Sequence, residues 1–183
     1  MAGSRLTAAL ASTAALFCAG CSAPMPEATA AVQSADDAYF VLGLQPKNMM
    51  LQIDPAEVKD GRVVRIIQAL PLHEFGQSQG DFVVGKVKGG ATYVVHSASL
   101  MAGHSIFGRL YYPCGRTLAF TVPAGKVVYV TNISYLFNGN GMGSSQRADF
   151  AGAHDFLALH YPGLVDKLEQ GSFQNVQFAS GHC

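Results

Sequence analysis

The side chains of this chain with the widest chemical repertoire are its six histidines, its four cysteines and Ser105. His154 and His160 are six residues apart on a segment that reads as a helix, about 240° around its axis, so they do not chelate from one face as an i, i+4 pair does. His182 beside Cys183 offers a soft donor pair with too few further ligands for a cage. Gly103-His104-Ser105-Ile106-Phe107-Gly108 approaches a Gly-x-Ser-x-Gly nucleophile elbow, but its second glycine comes one residue late. The strand-helix alternation of an α/β-hydrolase is also missing before Asp149. Ser105 with His96 or His104 is what remains for nucleophilic chemistry, against the plainer reading of a turn and an edge strand. Gly139, Gly141 and Gly143 lack the further glycine, or the Lys-Ser/Thr pair, that a phosphate loop needs at a helix start. The expectation is therefore no catalytic, cofactor-binding or metal residue, and no cofactor. The loop from Asn138 to Ser145 reads as a connection, with Asn138, Asn140 and Met142 as candidate partner contacts. Tyr111, Tyr112, Tyr129 and Tyr135 read either as a recognition surface or as core-edge residues with hydroxyls in water.

The cysteines speak to location. Residues 1–20 carry one charge, Arg5, and then a small, apolar run from Leu6 to Gly20, the pattern of a signal peptide and too short for a membrane span. Cys18-Ala19-Gly20-Cys21 resembles the lipobox of bacterial lipoproteins, in which the last cysteine is acylated and becomes the N-terminus; Cys18 stands where that motif usually has an aliphatic residue. Ser22 rather than Asp follows Cys21, which favours the outer membrane, facing the periplasm. The alternative is cleavage after Ala28-Thr29-Ala30, giving a soluble periplasmic or secreted protein. Under either cleavage Cys114 and Cys183 reach an oxidising compartment and form the expected disulfide. Closing that loop would restrict the unfolded chain by about 4 kcal/mol.

Composition bounds the rest. The 183 residues hold 12 basic and 12 acidic side chains with 13% charged, so nothing favours capture of nucleic acid. Residues 21–37 are Ala-, Pro-, Ser- and Thr-rich and read as a tether, leaving residues 38–183 as one domain. Short apolar runs at 38–44, 49–53, 62–70, 81–87, 91–96 and 105–112 are punctuated by Gly, Pro and Asp and read as strands. Thr117 to Phe137 carries the clearest period of two, read as a hairpin about Pro123-Ala124-Gly125. Lys88-Gly89-Gly90 reads as a second hairpin turn, and Asp60-Gly61 as a turn. After Asn138 the period changes: Asp149 caps a helix burying Ala153, Phe156, Leu157, His160 and Tyr161. A second helical turn carries Leu164, Val165 and Leu168, and Phe173 to Phe178 reads as a final edge strand. The fold expected is mainly β, an antiparallel β-sandwich of about 7 to 9 strands with one C-terminal helix packed on it.

The segments Gly85 to Val87, Tyr93 to Val95, Phe120 to Val130, Asp149 to Pro162 and Gly171 to Phe173 together resemble a group of uncharacterised proteobacterial lipoproteins. These are similar to small domains of unknown function related to PEGA and transthyretin-like sandwiches. The resemblance rests on Pro-x-Gly-Lys at Pro123 to Lys126 and on Leu157 to Tyr161-Pro162, covers residues 81–178, and implies a sandwich in the envelope without any activity. The functional expectation is a non-enzymatic envelope domain, held to the membrane by a lipid on Cys21, that binds an envelope partner or supports an assembly. The alternatives are a periplasmic carrier with an apolar pocket, and an envelope hydrolase using Ser105.

Overall fold

The computed structural model describes residues 25–47, 49–67, 74–100, 110–111, 115–137 and 142–178. Within them the chain is mainly β, in two sheets. The first holds β1 (Asp37–Gln45), β5 (Phe82–Lys88), β9 (Val127–Phe137), β10 (Met142–Arg147) and β11 (Leu168–Gln170), ordered β10-β9-β1-β5 with β11 also on β9. The second holds β2 (Met49–Lys59), β3 (Arg62–Ile66), β4 (Glu74–Gln77), β6 (Thr92–Leu100), β7 (Leu110–Tyr111), β8 (Arg116–Thr121) and β12 (Phe173–Phe178). Two helices follow β10: α1 (Phe150–His160) and the single turn α2 (Pro162–Val165).

Three packed zones explain the sequence pattern. Phe40 and Leu42 of β1 and Val128 and Val130 of β9 meet Leu51 of β2 and Phe120 of β8 across the space between the sheets, with Phe40 and Phe120 rings 5.4 Å apart. On the other face of the first sheet, Tyr39, Val41 and Tyr129 pack under Ala153, Leu157 and Leu164 of the helices. Strands β1 and β9 are covered on both faces, so their residues are apolar nearly without interruption, as buried strands require. The third zone lies within the second sheet, whose pairing is cyclic: β2–β3, β3–β12, β12–β8, β8–β6 and β6–β2. Ala56, Val63, Val94, Ala119 and Val176, one residue from each strand of that ring, form one buried cluster.

Several expectations are corrected. The sheets are mixed rather than purely antiparallel: β1 and β11 run parallel to β9, and β12 parallel to β3. The strands among the described residues number twelve rather than 7 to 9, while the expected second helical turn at Leu164 and Val165 is α2. Neither hairpin forms, because β8 and β9 lie in different sheets, as do β5 and β6. Pro123 to Gly125 and Lys88 to Gly90 are tight crossings between the sheets. Both turns use the left-handed glycine their sequences predict, Gly125 at φ +72° and Gly90 at φ +81°, but a tight reversal does not say which strands pair. Strand β2 continues through Pro55 instead of stopping at Asp54. On one side β4 pairs with 50–53 and β3 with 56–59, so the missing N–H of Pro55 falls where the partner changes. Strand β12 is no edge: β8 and β3 flank it. Leu168 lies in β11 rather than a helical turn, and the second half of the Asn138 to Ser145 loop is strand β10.

Packing also begins before Ala38. Ala30 and Val32 join the cluster under the helices, Tyr39 Oη donates to the Ala31 carbonyl at 3.4 Å, and Asp37 Oδ2 accepts from the Gln33 and Ser34 amides, each at 3.1 Å. Small apolar side chains fill the space beside α2 there, so this part of the stretch expected as a tether belongs to the folded body.

Candidate functional site

Two polar constellations stand out, and strand irregularities build both. Between β1 and β9 the register shifts at Val41/Gly43, placing Asn132 opposite Gly43. A bulge re-aims the side chains beside it. Tyr129 Oη donates to Asn132 Oδ1 at 2.9 Å and accepts from the Asp149 amide at 2.8 Å, joining β9 to the start of α1. Burial pushes the Tyr129 hydroxyl above its usual pKa, so it stays a donor. Asp149 caps α1 by accepting from the Gly152 amide at 3.1 Å.

Asn132, Asp149 and Gly152 floor a cleft of about 540 Å³ beside α1. Gln45 and Asp81 form one rim, where Gln45 Nε2 donates to Asp81 Oδ1 at 2.6 Å and Lys47 Nζ lies 3.1 Å from the same oxygen. The other rim is an aromatic strip: the Phe156 ring packs tilted against Phe82 at 5.0 Å and against His160 at 4.7 Å between centroids. The cleft thus presents carboxylates, side-chain amides and aromatic surface together.

The second constellation lies on the inner side of the strand ring. A register shift in the β2–β6 pair at Gln52/Ile53 accommodates His96 and Ser97. His96 Nδ1 donates to Asp54 Oδ2 at 2.6 Å, Gln52 Nε2 donates to the same oxygen at 3.0 Å, and Ser97 Oγ donates to Gln52 Oε1 at 3.1 Å. The Asp54 side chain is 2% exposed and that of His96 19%. A buried carboxylate holding one ring nitrogen fixes the tautomer and orientation of an imidazole, as bases in hydrolytic sites require.

Of the residues singled out in the sequence, Cys21, Cys114, Cys183, His104, Ser105, Asn138 and Asn140 lie outside the described residues. Met142 opens β10 opposite Phe137. His154 is exposed, 3.6 Å from Asp155 Oδ1, and His160 lines the cleft, so the two do not meet. Among the described residues no group of three His, Cys, Asp or Glu is placed to hold a metal ion. Tyr129 and Tyr135 are buried, and burial raises the Tyr135 hydroxyl well above its usual pKa, so neither belongs to a recognition surface. Sequence reasoning missed Asp54, Gln45, Asp81 and Asn132. Asp54 carried one signal, an acid between apolar Ile53 and Ala56, but its neighbour Pro55 made it read as a turn.

No family model, curated protein or solved structure matches this chain.

Proposed function

We propose that the chain is a lipid-anchored binding domain of the cell envelope, a two-sheet sandwich that offers the cleft beside α1 to a ligand or envelope component. The observation that carries the binding reading is that cleft. Its volume of about 540 Å³ falls in the range of ~300–1,000 Å³ typical of ligand sites, and a few fixed polar groups converge there beside aromatic walls. The envelope address rests on the signal-like residues 1–20, the lipobox-like Cys21 and the family resemblance; the role is non-enzymatic. Native mass spectrometry of protein extracted from envelopes tests both parts. An acylated Cys21 and a non-covalent mass released on unfolding are expected. A chain beginning at Ala31, or ligand-free protein that acquires no mass from envelope extract, overturns the corresponding part.

The His96–Asp54 pair favours a second reading, an envelope hydrolase in which His96 serves as the base. Turnover of a chromogenic ester that is lost in His96→Gln, with the unfolding midpoint retained, would support it. Absence of turnover and of fluorophosphonate labelling in the native protein ends it.

A further inference from the structure

We infer that the cleft beside α1 takes a neutral mono- or disaccharide, a step that rests on the binding reading above. The argument starts from charge. Asp81 and Asp149 line the cleft, and two bare carboxylates there would repel anions and select a cation. Neither is bare. Asp81 is compensated by Lys47 at 3.1 Å and by the Gln45 amide at 2.6 Å, and Asp149 by the Gly152 amide at 3.1 Å and the positive end of α1. Each carboxylate has about four lone-pair sites, so both keep acceptor capacity after these contacts. Compensated carboxylates act as acceptors for hydroxyl donors.

The amides complete the pattern. Tyr129 occupies Asn132 Oδ1, so Asn132 has its NH₂ group to offer, while Gln45 donates to Asp81 and has its carbonyl to offer. Acceptors on Gln45, Asp81 and Asp149 with a donor on Asn132 match a ligand whose hydroxyls both donate and accept. The Phe156 and His160 rings supply an apolar strip against which the C–H face of a sugar ring packs. An organic cation would leave the Asn132 donor unmatched, and a wholly apolar ligand would leave the remaining donor and acceptor sites of all four groups without a partner in the ligand.

The test is a titration of isotope-labelled protein followed by NMR, with glucose, N-acetylglucosamine and cellobiose as neutral probes and spermidine and inorganic phosphate as charged ones. Saturable shifts of the Gly80 and Gly152 backbone amides and the Asn132 side-chain amide are expected with at least one sugar and with neither charged probe. Gln45→Ala and His160→Ala should each weaken that sugar's affinity roughly tenfold while the unfolding midpoint holds. Cleft shifts from spermidine or phosphate, with none from the sugars, overturn the sugar assignment and leave the binding reading standing. Sugar shifts that both variants leave unchanged also overturn it, because the sugar then sits elsewhere. No cleft shift from any probe overturns the assignment, and no shift from envelope extract in the same tube overturns the binding reading with it.

Discussion

Gly43 and Asn132 compete for one place: a β-carbon on residue 43 would lie 1.9 Å from Asn132 Oδ1. The side chain that forms the cleft floor therefore exists where it does because its neighbour on β1 has none. Gly43→Ala must expel Asn132 and break its bond from Tyr129. The expected loss is about 1–3 kcal/mol, the scale of overpacking a close-fitted site. A urea-unfolding midpoint equal to that of the native protein would show that Asn132 moves aside freely.

Asp54 is itself buried and gathers hydrogen bonds from His96 and Gln52. Asp54→Ala leaves those donors facing an apolar methyl and should cost about 2–3 kcal/mol, with Asp54→Asn costing less because one acceptor survives. No loss in either variant on chemical denaturation would mean that the carboxylate's hydrogen bonds contribute nothing, and equal losses would mean that the amide oxygen of Asn does not replace them.

The crossing from β8 to β9 turns on Gly125 at φ +72°, and the nearest atom to an added β-carbon is the Ala35 carbonyl oxygen at 3.8 Å. Space is ample, so the penalty of Gly125→Val is backbone strain alone, about 1–2 kcal/mol. Thermal unfolding measures it, and an unchanged midpoint refutes the requirement for a left-handed residue.

Lys86 Nζ bonds Asp37 Oδ1 at 2.5 Å and, by that hydrogen bond first, holds the Asp37 carboxyl below its usual pKa. The Gln33 and Ser34 amides act in the same direction. A lowered folded-state pKa means that this stabilisation is present above the unfolded value near about 3.9 and is lost as pH falls through the folded one. Lys86 is raised by the same hydrogen bond, so its share is present below about 10.4 and lost as pH rises through its folded value. Lys86→Met should flatten the acid limb of the stability profile. An acid limb unchanged in Lys86→Met would place the titration elsewhere.

Much of this fold can be read in the order of residues. The strands at 38–44 and 81–87, the Asp149 cap and the burial of Ala153 and Leu157 all follow from local patterns, because each depends on neighbours a few residues away. Pairing partners do not. The runs around Pro123 to Gly125 look alike whether the arms bond to each other or to strands far off, and only the unbroken burial of Val127 to Thr131 marks β9 as enclosed. The cleft was hidden for a related reason. Gln45, Asp81, Asn132 and Asp149 come from four distant segments, and two of them are aimed by a register shift and a helix cap rather than by any motif.

The cyclic pairing of the second sheet also dictates an order of events. Arg62 of β3 finds its partner at Gln177 of β12, so the ring stays open until the last strand described here has been made. Such distant contacts slow folding, because chain entropy must be lost before they form. A chain that cannot close this ring early holds open strand edges while it folds, and removal of β12 would leave β3 and β8 each with an unpaired, aggregation-prone edge.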